Sequence, residues 1–332
     1  MPFSTLPARL ADWPALFPAS GLLRLGAQGA EPLASLPEHT GILVLMGRPL
    51  ALSELAPLAA RLDQAPVALP PFNVAGVEVL VLLTSSFDEA LGEWLKAQTW
   101  SLDAAYVRAL PDLAEPGLLL MDMDSTAIQI ECIDEIARLA GVGEQVAAVT
   151  AAAMQGKLEF CDSLRNRVAL LKDADAAILE QVVDLMPLMP GLETLVARLK
   201  QAGWKVAIAS GGFTRFAGHL QQTLGLDHIE ANNLVVRDGR LTGEVDGRIV
   251  DGKVKAQTLL DLKARYGIAD HQTVAIGDGA NDLPMLANAA LGLALHAKPI
   301  VRQQAQVAIA RLDLEAALCL LEAGSRLAAL RG

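Results

Sequence analysis

Two aspartates separated by a single residue, Asp122 and Asp124, follow a run of leucines and precede Ser125 and Thr126 in the stretch GLLLMDMDST. The leucine run reads as a buried strand. It therefore delivers two carboxylates to the end of a core element, where an uncompensated charge is costly. Two further strand-like segments end in polar residues: KVAIAS (205–210) runs into Ser210-Gly211-Gly212, and TVAIGD (273–278) runs into Gly277-Asp278-Gly279-Ala280-Asn281-Asp282. Ligands of a parallel sheet lie beyond the carboxyl ends of its strands, so three such ends can share one pocket. Lys255, just ahead of the apolar helical pattern AQTLLDLKARYG, is a candidate cation for it.

Charge then constrains the chemistry. Asp122, Asp124, Asp278 and Asp282 bring four negative charges, and Lys255 offsets one. A hard divalent cation remedies the imbalance, and an all-oxygen donor set without His or Cys favours Mg²⁺. Mg²⁺ held by a few carboxylates usually shares its shell with water and phosphate. Metal, lysine, hydroxyl and helix N-terminus are what phosphoryl transfer needs, because its catalysis is mostly positioning and charge neutralisation. Aspartate is also an established nucleophile in such reactions. Singly, each signal has a bland explanation. DxD occurs in surface loops and glycosyl-transfer metal sites, GDGxND and SGG mark tight turns, and a lone lysine is usually solvated. Four of them in order, each at an expected strand end or helix start, make the stronger case.

The elements that must position these residues form a strand–helix alternation over 113–332, with a further apolar strand at LGLAL (291–295). Apolar strands separated by helices imply an α/β fold with a doubly wound parallel sheet. Between about 130 and 186 the pattern is helical only (CIDEIARLA, EQVAAVTAAAM, FCDSLRNRVALL, DAAILEQVVDLM), an insertion placed to cap the first strand's end. LVVRDGRLTGEV (234–245) predicts a hairpin turning at Asp238-Gly239. Residues 1–112 predict a separate, small α+β module. Its elements are strand GILVLM, helix Leu52–Leu62, strand VEVLVLL (77–83), helix Phe87–Ala97 and strand AYVRAL (105–110), with Pro111 and Pro116 bracketing a linker. This order resembles ferredoxin-like modules, ACT-type among them, which bind effectors or pair chains into a homodimer. A plain structural appendage fits equally well, and no motif in 1–112 names a ligand.

Composition bounds the partners. Apolar residues make up 52% and aromatics 4%, so the core is built from Ala, Leu and Val, as in α/β layers. The net charge is −11 and no basic stripe stands out, which argues against nucleic acid. An anionic substrate must then be drawn by local groups or a metal. Cys132, Cys161 and Cys319 suggest neither a disulfide framework nor a zinc site, and the histidines show no ligand spacing. No signal-peptide pattern opens the chain, and no apolar stretch reaches the ~18 residues of a membrane span. A soluble, cytoplasmic protein is expected.

DMDST, SGG, the downstream Lys255 and GDGANDLPM resemble the four motifs of the haloacid dehalogenase (HAD) superfamily. Within it, residues 122–300 resemble the phosphoserine phosphatases nearly throughout, including ECIDEIARLAGV, MQGKLEFCDSLRNRVALL, SGGFT, NNLVVRDGRLTG and HAKPIV. The resemblance does not cover the first 112 residues. It implies a HAD-like Rossmannoid core and Mg²⁺-dependent hydrolysis of O-phospho-L-serine, the last step of serine biosynthesis, through an aspartyl-phosphate. Asp122 would be the nucleophile and Asp124 the acid and then the base. Asp122, the Asp124 carbonyl and Asp278 would hold the metal. Ser210, Gly211, Lys255 and Asn281 would bind phosphoryl oxygens, Asp282 would support the metal or Lys255, and Thr126 would orient the nucleophile. In the cap, Glu131 would take the substrate ammonium and Arg167 its carboxylate, with Phe160 and Met154 closing over both. A phosphatase or phosphotransferase for another small phosphomonoester is the alternative. An inert regulatory domain would be expected to lack Asp122, Asp124 or Lys255, and all are present.

Overall fold

The computed structural model describes residues 9–26, 29–62, 65–155 and 157–331, apart from the side chain of Met154. The chain divides into two compact units, one formed by 1–115 with 293–332 and the other by 116–292. The first crossing between them lies close to the linker expected after residue 112. The C-terminal stretch, read from its strand–helix alternation as part of the second region, groups with the first unit.

In the first unit the strands β1 (Leu23–Gly26), β2 (Gly29–Pro32), β3 (Gly41–Gly47), β4 (Val67–Ala68), β5 (Phe72–Val74), β6 (Val77–Thr84) and β7 (Asp103–Val107) form one sheet. Its order is β2-β1-β4-β6-β3-β7, with β5 also on β6, and every pairing is antiparallel. The short strands β1, β2, β4 and β5 were not anticipated, because two to four residues carry no readable alternation. Where a helix over Leu52–Leu62 was expected, the chain makes a 3₁₀ turn (Leu52–Leu55) and a single α-turn, α1 (Ala56–Ala59). Leu52, Leu55 and Leu58 recur every third residue, the period of the tighter helix. The second expected helix is present as α2 (Glu89–Lys96), its N-terminus capped by the Asp88 carboxylate, which accepts from the Ala90 N–H.

The second unit holds β8 (Leu118–Met121), then four cap helices: α3 (Cys132–Leu139), α4 (Gly143–Met154), α5 (Phe160–Ala169) and α6 (Ile178–Leu185). It continues through α7 (Leu192–Gln201), β9 (Lys205–Phe213), α8 (Thr214–Leu224), β10 (His228–Arg237), β11 (Arg240–Asp246), α9 (Gly252–Tyr266), β12 (Thr273–Gly277) and α10 (Leu283–Asn288). Strand β13 (Leu291–Leu295) carries the boundary, and α11 (Pro299–Gln304), β14 (Val307–Ile309) and α12 (Glu315–Ala329) follow. The sheet order is β11-β10-β9-β8-β12-β13-β14. Strand β8 pairs in parallel with β9 and β12, and all four of its residues are buried. Met121 stands opposite Ile208 on one side and Ile276 on the other, so Asp122, Ser210 and Asp278 emerge at one edge of the sheet. The β10–β11 hairpin turns at Asp238 (φ 51°) and Gly239 (φ 76°), the two positive angles that a type I′ turn requires.

Within the first unit, the C-terminal stretch completes the core. Helix α12 packs on β3, β5 and β6, and its Leu318, Cys319, Leu320 and Leu321 are all buried, as in a helix covered all round. That explains why every residue of β3 is buried: Leu43 and Leu45 face the cluster that includes Leu91 and Leu95 of α2, while Ile42, Val44 and Met46 point the opposite way. The Asp103 carboxylate, at the start of β7, accepts the backbone N–H groups of Ala310 (2.8 Å), Arg311 (3.1 Å) and Leu312 (2.7 Å). Arg311 Nε donates to the Trp100 carbonyl at 2.7 Å. Replacing Asp103 by Ala strands those donors and is expected to cost about 2 kcal/mol. Asn, which keeps one carbonyl acceptor, should cost less. Denaturation followed by tryptophan fluorescence checks this, and an unchanged midpoint for Asp103→Ala would show that the clamp contributes nothing.

Candidate active site

Asp122 continues the β8 ladder by donating its N–H to the Ile276 carbonyl at 2.9 Å, which fixes its backbone to the neighbouring strand. Its Oδ1 accepts the Met123 N–H at 2.7 Å and its Oδ2 meets Lys255 Nζ at 2.7 Å. Lys255 is fully buried and also meets Asp282 Oδ1 at 2.7 Å. Burial pulls the Lys255 ammonium towards neutrality, but Asp122 and Asp282 outweigh it, so its pKa is raised and the charge is retained. Lys255 sits in the first turn of α9, whose N-terminus is capped by the Asp251 carboxylate accepting from the Val254 N–H at 2.9 Å.

One lysine does not balance this set. Carboxylate oxygens of Asp122, Asp278 and Asp282 lie within 4.8 Å of one another. Asp278 is pushed up to about 7 by burial first and then by Asp122 and Asp282. Asp282 rises to about 6 for the same two reasons, burial and Asp122, despite its contact with Lys255. The Asp124 carboxyl is held well above its ordinary value by burial, Glu131 and Asp122, and its buried Oδ1 has no hydrogen-bond partner among the described residues. A cluster of oxygen donors with an orphaned carboxylate oxygen beside it could hold a hard cation. Asp282 is the least available donor, since Lys255 takes Oδ1 and the Gly279 N–H donates to Oδ2 at 2.9 Å. A Cβ on Gly277 would lie 2.4 Å from Asp282 Cγ, so only glycine lets that carboxylate fold back under the strand end. Thr126, expected beside the nucleophile, is fully buried and donates instead to Asp278 Oδ1 at 3.2 Å.

The last residues of β9, which runs on past the expected end at Ser210 to Phe213, make a second close-packed stretch. Ser210 Oγ is buried and accepts the Gly212 N–H at 2.9 Å. A Cβ on Gly211 would lie 2.6 Å from Phe160 Cζ, so the first residue of α5 rests directly on this loop. Asn281 folds against Gly279, where an added Cβ would lie 2.3 Å from its Oδ1. Sequence reasoning missed Asn232. Its buried amide donates to the Gly211 carbonyl at 2.8 Å and accepts the Val250 N–H at 2.9 Å, tying the Ser210–Gly212 loop to the segment leading into α9. The signal was present as an asparagine in the middle of β10 (HIEANNLVVR), a residue that strands disfavour.

In the cap, the structure separates two neighbouring arginines. Arg165 is exposed and reaches Asp162 at 3.8 Å, whereas Arg167 is half-buried, its Nε donating to the Ser163 carbonyl at 3.4 Å. Burial lowers the Arg167 pKa while Asp134, Glu131 and Asp124 support its charge, which places acidic cap and site groups around it. Glu131 precedes α3 but makes no side-chain cap hydrogen bond to that helix. Its Oε1 accepts from Ser125 Oγ at 2.8 Å. The side chain of Met154, expected beside Phe160, lies outside the described residues.

Residues 117–290 match the haloacid dehalogenase-like hydrolase family. A phosphoserine phosphatase of Vibrio cholerae is 56% identical over 222 residues, covering 67% of this chain and 68% of its own. Among solved structures, a HAD family hydrolase of Salmonella enterica serovar Typhi superposes with a TM-score of 0.77 at 34% identity, over 85% of this chain and 99% of its own. A phospho-aspartyl intermediate analogue of phosphoserine phosphatase gives 0.58 at 43% identity, over 61% and 98%.

Two outcomes follow from the geometry. An acid whose pKa is raised on folding holds its proton longer in the native state, so stability falls as pH rises from the unfolded value towards the raised one. For Asp278 that window runs from 3.8 to about 7. In chelator the melting temperature is therefore expected to fall between pH 5 and pH 7.5, and Asp278→Asn should flatten the fall. An equal slope in the variant would assign the effect to other groups. Asn232→Ala leaves the Val250 N–H and the Gly211 carbonyl unpaired, and the loss of loop geometry is expected to lower turnover about tenfold or more. Thermal melts alongside the rate assay separate that loss from simple unfolding.

Proposed function

Because the chain belongs to the haloacid dehalogenase-like hydrolase family, we propose that it hydrolyses O-phospho-L-serine to L-serine and phosphate through an aspartyl-phosphate, with Mg²⁺ as its cofactor. The observation that carries the reading is the buried Lys255 between Asp122 and Asp282, with Asp278 completing an acidic cluster and the cap's Glu131 and Arg167 supplying opposite charges. Every residue given a chemical role falls within 116–292.

Asp122 attacks phosphorus and the bond to the serine oxygen breaks. Asp124, whose carboxyl is held protonated by burial and by its acidic neighbours, gives the departing oxygen its proton. As a carboxylate it then takes a proton from the water that attacks the phosphoryl group, which breaks the bond to Asp122 and releases inorganic phosphate. Lys255, Ser210, the Gly211 N–H and Asn281 hold phosphoryl oxygens throughout, and Asp282 keeps Lys255 in place. Asp122, Asp278 and the Asp124 backbone carbonyl are the groups to hold Mg²⁺, which supplies charge neutralisation between the carboxylates and the phosphate.

Phosphoserine carries an ammonium and a carboxylate besides its phosphate. Glu131 answers the first, and Arg167 the second through a planar guanidinium suited to bidentate binding. Phe160, resting on Gly211, excludes water from the reaction. The three free cysteines suit a reducing, cytoplasmic setting, and no helix among the described residues is long and apolar enough to cross a membrane.

Phosphate release from O-phospho-L-serine, with Mg²⁺ and with EDTA, beside sugar and nucleotide phosphates, tests the proposal. Metal-dependent, phosphoserine-selective hydrolysis is expected. Arg167→Ala should lower kcat/KM for phosphoserine by about 30-fold or more, the worth of a charge-assisted contact. Equal turnover of all the esters, indifferent to Arg167, would retain the phosphatase and discard the substrate.

A further inference from the structure

Ser125 adopts φ +55°, a left-handed conformation that a residue with a Cβ takes only under strain. Glycine would hold the same turn without strain. Serine, however, brings a hydroxyl, and this one is used. Ser125 Oγ donates to Glu131 Oε1 at 2.8 Å, and the Ser125 N–H donates to the Ile130 carbonyl at 3.2 Å. Two atoms of one residue thus tie the loop carrying Asp122 and Asp124 to the segment that opens the cap. Meanwhile the Met123 carbonyl accepts from Ala127 (2.8 Å) and Ile128 (3.0 Å), so the loop beneath Ser125 is closed on itself. Glu131 does not cap α3, which leaves Ser125 as the group that orients its carboxylate.

We propose that Ser125 is a positioning residue for substrate selection: it fixes Glu131 Oε1 and so aims Oε2 at the substrate ammonium. The inference rests on the assignment of Glu131 made above. A glutamate at a helix start has several rotamers, and an exposed one left free would lose conformational entropy on binding. Ser125 removes that cost before substrate arrives. Because it lies between Asp124 and Thr126, it also sets the distance between the ammonium subsite and the reacting phosphorus.

The test compares O-phospho-L-serine with 3-phosphooxypropanoate, the same ester without its amine. The proteins are the full chain, Ser125→Ala, Ser125→Gly, Glu131→Gln and the double variant Ser125→Ala/Glu131→Gln. Both Ser125 variants are expected to raise KM for phosphoserine about tenfold, the worth of a hydrogen bond to a charged group. Their kcat should stay within about twofold, and KM for the deamino ester should not change. Ser125→Gly relieves the backbone strain that Ser125→Ala retains, so equal effects in the two assign the loss to the hydroxyl. The double variant should be no worse than Glu131→Gln alone. Equal losses on both esters, a fall in kcat alone, or additive effects in the double variant would overturn the proposal. If Glu131→Gln loses the preference for phosphoserine while Ser125→Ala keeps it, this inference fails alone. If the unaltered protein shows no preference for the amine, the function proposed above fails with it.

Discussion

An excess of buried negative charge around one buried cation is the constraint on which the second unit is organised. Lys255 has no exposure, and an ammonium in that position persists only because Asp122 and Asp282 each stand 2.7 Å away. Each member of this trio is set by a different part of the fold. Asp122 is set by the centre of the sheet, Asp282 by the turn after β12, and Lys255 by the first turn of α9. The parallel register of β8 and β12 brings the first two together. The third is brought in by the helix start that Asp251 caps and that Asn232 ties, through Val250, to the Gly211 loop. The Gly211 segment and the segment leading into the lysine helix are thereby joined through one asparagine.

The surplus carboxylates define the opposite requirement. Asp124 and Asp278 are raised by burial first and then by the carboxylates around them. A site left in this condition is destabilising for the fold and favourable for a cation and a phosphate ester, which is the trade expected where function and stability compete. The cap repeats the logic with one charge of each sign. Glu131 and Arg167 approach the same region from α3 and α5, and Phe160 connects the second of these helices to Gly211 by direct contact.

Much of this was legible in the sequence because parallel strands buried on both faces are apolar runs, and polar residues at their ends stand out. The strand ends at Asp122 and Asp278, the four cap helices and the Asp238-Gly239 hairpin fall where pattern and turn chemistry placed them, whereas β9 runs past Ser210 to Phe213. What stayed hidden is tertiary. Asn232 matters through two backbone partners distant in sequence, Gly211 and Val250. Thr126 reaches Asp278 across 152 positions of chain rather than the nearby Asp122. The grouping of 293–332 with the first unit depends on what α12 packs against, and a largely apolar helix does not declare its partner. The turn at Leu52–Ala59 was misread because a three-residue apolar period resembles the helical one over so short a window.

The return of the chain after residue 292 bears on how the protein is made. The first unit joins residues made before 116–292 to residues made after them, while 116–292 is continuous. Domains generally fold as units during synthesis, amino-terminal ones first. Here that order is inverted: the sheet of the first unit emerges first but must wait for α12 to cover β3 and β6, whereas the continuous unit 116–292 is translated before that helix. Nascent chains would therefore carry an assembled phosphatase centre beside an apolar sheet with one face still bare, and it is that sheet which has most need of a chaperone.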